Sequence, residues 1–136
     1  MEIRQVTTVD GVLAAGALFD DPVRPDWATR FLDSPGHHLL VAYVDGTPVG
    51  MVTGVEMTHP DKGTELFLYE LGVADGYQRR GIGGALVAAL ADLARERGLY
   101  GMWVVADGDN VPALATYRSA GGEASPNEVV FTWTFP

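Results

Sequence analysis

The stretch Tyr77-Gln78-Arg79-Arg80-Gly81-Ile82-Gly83-Gly84-Ala85-Leu86 (YQRRGIGGAL) places two arginines and three glycines just ahead of an apolar run. It follows Leu66 to Val73, which reads as a strand, and opens a segment with apolar residues at Leu86, Ala89, Leu90 and Leu93 and a stop at Gly98. That spacing predicts a helix over Gly83–Arg97. Glycines in a strand-to-helix turn let the backbone approach a ligand with no Cβ in the way. The free N–H groups of the helix's first turn point at one spot, with the positive end of the helix dipole behind them, which suits a phosphate. Arg79 and Arg80 add charge on the rim. A P-loop would need a lysine after its last glycine, and none stands here. A dinucleotide fingerprint is closer, because Gly81-Ile82-Gly83 follows a strand and Asp107 ends the next one. It fails at the third glycine, where Leu86 stands, and three meander strands precede it. A purely structural turn is the remaining alternative. The residues favour a phosphate-bearing cofactor gripped at its diphosphate.

Outward from this loop the chain alternates element types. Met1 to Val6 reads as a short strand, and Asp10 to Phe19 and Trp27 to Leu32 carry helical spacing on either side of a turn cluster, Asp20 to Pro25. Leu39–Val44 and Val49–Val55 are β-branched-rich runs joined by Asp45-Gly46-Thr47-Pro48, a hairpin signal. A polar loop over Thr58–Gly63 precedes the strand Leu66–Val73. Met102–Ala106 is a further strand, Pro112–Ala120 a short helix capped by Asn110, and Glu128–Phe135 alternates as a last strand. The order predicts an α/β (α+β) domain: a mixed, largely antiparallel sheet with helices on both faces.

With 136 residues the chain is expected to be a single domain, 1–136. A net charge of −9 argues against nucleic acid, whose binders carry basic patches, and suits a cationic partner. No apolar run approaches the roughly 18 residues of a membrane span. The absence of cysteine excludes a thiol nucleophile and fits the cytoplasm. His37, His38 and His59 show no metal-ligand spacing, so no metal is expected.

Gln78-Arg79-Arg80-Gly81-Ile82-Gly83 resembles the acetyl-CoA pyrophosphate loop of the GNAT acetyltransferases. Leu66–Val73 is similar to their central strand, which splays from its neighbour to receive the pantetheine arm. Asn110-Val111-Pro112-Ala113-Leu114-Ala115-Thr116-Tyr117-Arg118-Ser119-Ala120-Gly121 resembles their second signature, with one departure: glycine follows Gly121 where the family has phenylalanine. Phe67 to Val73, the arginine–glycine loop, Ala106-Asp107 and Pro112-Ala113 ahead of Tyr117 are further similar to the small aminoglycoside 3-N-acetyltransferases, which carry Asp where this chain has Glu70.

The resemblance implies acetyl-CoA as co-substrate, held by the Val73 backbone and by Gln78, Arg79, Arg80, Gly81, Ile82, Gly83, Gly84 and Asn110. It implies direct transfer to a primary amine of a small cationic acceptor, with an aminoglycoside as the named candidate. A polyamine, an amino acid or a protein amine are alternatives, as is a non-catalytic acyl-CoA-binding module. A homodimer is compatible with this reading.

Amide formation from a thioester needs a group to take the ammonium proton and an acid for the leaving thiolate. In a regular strand Glu70 shares a face with Leu66 and Leu68, inside an apolar element where an unpaired carboxylate is costly. It either pairs structurally or binds and deprotonates the amine. Asn110, Leu114 and Tyr117 line one face of the short helix. By the likeness Tyr117 is the general acid, the alternative being a core tyrosine. Asp107 and Asp109 are candidates for a second amine of a polycation, or a solvated loop. Asp20 and Asp21 sit in a turn that often rims the acceptor site, and ordinary turn chemistry explains them equally. Trp27, Trp103 and Trp133 read as core or edge packing.

Overall fold

Asp45 and Gly46 both take left-handed backbone (φ 50° and 77°), which closes a two-residue hairpin turn whose twist matches that of its strands. The strands on either side are β2 (His37–Val44) and β3 (Thr47–His59), and the meander continues into β4 (Gly63–Val73). A computed structural model describes residues 1–136. Before the meander lie β1 (Glu2–Gln5), α1 (Val9–Ala14), a 3₁₀ turn (Gly16–Leu18) and α2 (Pro25–Asp33). After it come α3 (Ile82–Glu96), β5 (Met102–Trp103) and α4 (Val111–Ser119). The sheet order is β1-β2-β3-β4-β5, antiparallel throughout except for the parallel β4–β5 pair.

Each face of this sheet carries its own core. On one, Leu86 and Leu90 of α3 are fully buried against Val52, Leu66 and Leu68, with α4 beside them. Each such leucine contributes about 1.5–3 kcal/mol by leaving water. On the other face Val12 of α1, Ala15 just past its end and Ala28 of α2 pack on Leu39, Val41 and Met51. Helices therefore cover both faces, as the element order predicts. Beyond α3's end a polar cluster ties the sheet together. Buried His38 meets Gln5 at 3.0 Å and Glu56 at 2.6 Å, and Arg97 donates to the same Glu56 carboxylate at 2.7 Å. Burial pushes the Glu56 carboxyl up, yet the His38 and Arg97 contacts outweigh it and hold the group below its ordinary value.

Four local expectations are corrected. The polar loop expected over Thr58–Gly63 shrinks to Pro60–Lys62, because β3 and β4 stay paired as far as His59 and Gly63. The strand expected over Met102–Ala106 keeps only Met102 and Trp103 in the ladder, opposite Leu66 and Phe67. Glu65 anchors that short strand, accepting from Tyr100 O–H and from Trp103 Nε1. The strand expected over Glu128–Phe135 pairs with nothing: residues 129–136 lie outside the sheet and exposed, since an alternating pattern makes a strand only where an edge receives its backbone.

The fourth correction concerns Glu70. Thr53 faces Glu70 and Gly54 faces Leu68, so Tyr69 is the extra residue of a β-bulge. Leu66 and Leu68 belong to the α3 core, and so do Leu71 and Val73, which a strict alternation would divide between the faces. Glu70 is thereby turned away from Leu66 and Leu68, onto the α1–α2 face.

Candidate functional site

The loop 74–81 leaves β4 and delivers the chain to α3. Arg79 and Gly81 take left-handed backbone (φ 64° and 78°), Gly81 as the N-cap, a conformation that costs glycine nothing and arginine about 1 kcal/mol. No backbone N–H from Gln78 to Gly84 has an acceptor within the chain; the first α-helical bond here runs from Ala85 to the Gly81 carbonyl. No side chain caps the helix either. Donors gathered at a helix start, with the exposed Arg79 and Arg80 side chains beside them, are an arrangement suited to an anion. Arg80 rests over the Tyr77 ring at 5.0 Å. Gln78 Nε2 reaches the Val73 carbonyl at 3.4 Å, which ties the loop to the end of β4.

Gly83 and Gly84 work differently. A Cβ on Gly83 would meet Thr116 of α4 at 3.4 Å, and one on Gly84 would meet the Ser119 hydroxyl at 3.5 Å. Their smallness lets α3 and α4 approach each other.

Between β4 and β5 the sheet opens. Past Trp103 the backbone of Val104, Val105 and Ala106 makes no hydrogen bond within the chain. α4 starts beyond this gap, with Asn110 Oδ1 accepting from Ala113 N–H at 3.2 Å as its cap. Asn110 therefore spends its oxygen on the helix. Tyr117 lies half-buried in an apolar groove of about 70 Å³ with Leu68, Val87, Met102 and Val104. Burial pushes its phenol above the ordinary value, so the hydroxyl keeps its proton and is available as a donor.

Glu70 opens onto a separate cavity of about 340 Å³ between α1–α2 and the sheet, shared with Asp20, Asp21, Thr53, Phe19 and Trp27. Thr53 Oγ1 donates to Glu70 Oε1 at 3.3 Å. Desolvation raises the Glu70 pKa, the Thr53 hydrogen bond lowers it, and the Asp20 charge raises it again; the net direction is up. None of Glu70, Asp20 and Asp21 forms a salt bridge. Arg24, the cavity's only cation, is held by Asp26 at 2.6 Å and lies over the Trp27 ring. An acid-lined pocket walled by aromatic rings suits an ammonium group.

Of the residues singled out from sequence, Glu70 thus joins Asp20 and Asp21. Asp107 and Asp109 do not line this cavity: both are exposed in the β5–α4 loop, where Asp107 Oδ1 accepts from Asp109 N–H at 2.9 Å. Trp27 lines the cavity at 60% exposure instead of packing in a core, and Trp133 is exposed in the tail. Thr53 was not singled out. Its signal was a lone hydroxyl within the apolar run Val49–Val55.

Residues 9–121 match the acetyltransferase (GNAT) family. An N-alpha-acetyltransferase from Mycobacterium tuberculosis is 38% identical over 102 residues, which is 75% of this chain but 62% of that protein; the chain spans about three fifths of this relative's length. A crystal structure of an aminoglycoside acetyltransferase from an uncultured soil sample, bound to sisomicin, superposes with TM-score 0.90 at 22% identity, covering 99% of this chain and 96% of that one. Another soil aminoglycoside acetyltransferase gives 0.78 at 28% identity, over 99% and 97%. With the family matched over residues 9–121, most of its length, the chain belongs to the GNAT acetyltransferases.

Proposed function

We propose that this protein transfers the acetyl group of acetyl-CoA directly to a primary amine of a small cationic acceptor. The family uses acetyl-CoA, and the residues present fit it: unbonded N–H groups from Gln78 to Gly84 for the pyrophosphate, Arg79 and Arg80 for further phosphate charge, and the β4–β5 gap for the pantetheine arm. The observation that carries the acceptor half is the cavity that Glu70, Asp20 and Asp21 share unpaired, its one lining cation, Arg24, being held by Asp26. An ammonium enters this field, and Glu70, its pKa raised, takes a proton from it directly or through water. The neutral amine attacks the thioester carbonyl carbon, the carbon–sulfur bond breaks as the Tyr117 hydroxyl protonates the leaving thiolate, and the second proton of the acylated nitrogen passes to the tyrosinate, which restores the phenol. No cysteinyl thioester intermediate can form, since the chain has no cysteine.

The cavity lies at the small end of ligand sites (about 300–1,000 Å³), so it takes one amine-bearing end of an acceptor. An aminoglycoside meets this description, with one amine at Glu70 and others near Asp20 and Asp21, and the two structural neighbours are aminoglycoside acetyltransferases. A protein N-terminal amine is the second reading, favoured by the 38% identical relative. A panel of aminoglycosides, polyamines, amino acids and short peptides, assayed by acetyl-CoA-dependent thiol release, separates them. Polycations should turn over fastest, with KM rising as salt screens the acidic cavity. Preference for a neutral or peptide acceptor would overturn the aminoglycoside assignment and leave acetyl transfer standing.

A further inference from the structure

Beside Glu70 three aromatic rings line up on the sheet and belong to neither core. Phe67 and Tyr69 of β4 have ring centroids 5.5 Å apart, and Trp103 of β5 packs on Phe67 at 4.4 Å. The alternation that sends Leu66 and Leu68 under α3 sends Phe67 and Tyr69 to the opposite face, and the bulge at Tyr69 keeps Glu70 on that face too. There α1 and α2 pack on β2 and β3 and leave the rings uncovered: Tyr69 is 65% and Trp103 44% exposed. The strip is held from its far end, where Glu65 accepts from Trp103 Nε1 at 3.0 Å and from Tyr100 O–H. Its ring faces are free. Arginines lie over Tyr43, Trp27 and Tyr77, but no cation of the chain lies over Phe67, Tyr69 or Trp103. From Glu70 to Phe67 the strip runs roughly 10 Å, at about 3.3 Å per residue, the length of about two sugar rings.

We propose that Tyr69, Phe67 and Trp103 form a specificity platform on which the further rings of a multi-ring amino sugar lie while one of its amines sits at Glu70. The proposal deepens the acetyl-transfer reading and rests on it for the amine at Glu70. Continuity is the first support: Tyr69 directly precedes Glu70, so a ring stacked on Tyr69 belongs to the molecule whose amine enters the cavity. Charge is the second. Aromatic faces attract cations, these faces are unoccupied, and they adjoin Glu70, Asp20 and Asp21, so the strip favours a body that carries further ammonium groups. The third support separates a sugar from a peptide. The backbone at Leu66 and Phe67 is paired with β3 on one side and β5 on the other, so an extended peptide lying on the rings finds no main-chain partner there. The C–H face of a saturated sugar ring needs none, and its hydroxyls and amines point outward to water. Because the strip's rings are already packed on one another and Trp103 is tied to Glu65, little freedom is lost when an acceptor settles on them. A one-ring amine fills only the cavity of about 340 Å³, whereas an acceptor with further rings gains the platform as well.

Calorimetric titration of kanamycin A, a three-ring amino sugar, into the protein with CoA present reads the platform without acetyl transfer. Tyr69→Ala should bind it about tenfold more weakly than wild type, the size of one lost aromatic contact, and Tyr69→Phe, which keeps the ring, should restore the affinity. Tyr69 is exposed, so the alanine variant is expected to fold, and its far-UV spectrum checks that. In the transfer assay the ratio of kcat/KM for kanamycin A to that for glucosamine, a one-ring amine, should fall by a similar factor, with the loss in KM. No binding by wild type, equal binding by Tyr69→Ala, or an unchanged ratio would overturn the platform. So would a trialanine KM that rises as much as that of kanamycin A, which would give the strip to peptide acceptors. Binding that depends on Tyr69 without any acetyl transfer would remove the transferase reading and keep the platform; transfer indifferent to Tyr69 would do the reverse.

Discussion

Thr53 and Glu70 stand opposite each other across β3 and β4, and the residue between Glu70 and Leu68 has no partner. That one extra residue, Tyr69, puts the Glu70 carboxylate among Asp20, Asp21 and Thr53 instead of among the leucines under α3. The bulge makes a carboxylate that would be a burial defect into the floor of a cavity.

Glu70→Gln keeps the shape and removes the charge. Turnover should fall on the order of 10²–10³-fold, the size of a positioned proton transfer, with acetyl-CoA affinity unchanged by calorimetry. Stability should move the other way. The folded-state pKa is raised, so the native state binds the proton more tightly than the unfolded chain, and that advantage is present at low pH and lost as pH rises through the folded value. Above that value Glu70 destabilises the fold. The glutamine variant should therefore melt higher than wild type near pH 8, with the difference vanishing in acid. Equal Tm at both pH values would show that Glu70 carries no such strain.

Asp20→Asn tests the field around Glu70. Removing the like charge lowers the Glu70 pKa, so the acid limb of kcat/KM should shift to lower pH. KM for a cationic acceptor should rise at the same time. An unshifted acid limb would mean that the limb reports another group.

Tyr117→Phe retains the ring in its groove and removes the proton. Turnover should drop about 10²-fold while acetyl-CoA binding and Tm change little, because the hydroxyl has no hydrogen-bond partner in the chain to lose. Single-turnover rates against acceptor concentration would check this. A wild-type rate would leave Tyr117 a packing residue.

Gly81→Val asks a β-branched residue to hold φ 78° at the start of α3, which tilts the N–H groups gathered there. Acetyl-CoA affinity should fall more than tenfold by titration, with the sheet intact by far-UV dichroism. Gly83→Ala should be mild by comparison, since its Cβ would touch Thr116 at 3.4 Å, an ordinary helix-to-helix contact. Undiminished binding in Gly81→Val would remove the pyrophosphate role of this loop.

Local sequence determined much of this protein. Asp45-Gly46 dictates a hairpin because both positions accept left-handed backbone, Leu86 and Leu90 dictate which face of α3 is buried, and the unpaired donors from Gln78 to Gly84 follow from glycines placed ahead of a helix with no capping side chain. Each of these rests on conformational preference within a few residues. The acceptor half was decided elsewhere. A bulge is a mismatch between two strands, so neither β3 nor β4 alone specifies that Glu70 turns toward the α1–α2 face. Asp20 and Asp21 read as turn residues until the α1–α2 hairpin is folded over the sheet and sets them beside Glu70. The same holds for residues 128–135: alternation establishes that they can form a strand, but a strand's hydrogen bonds lie between segments, and only the tertiary structure shows that their own sheet does not supply the partner.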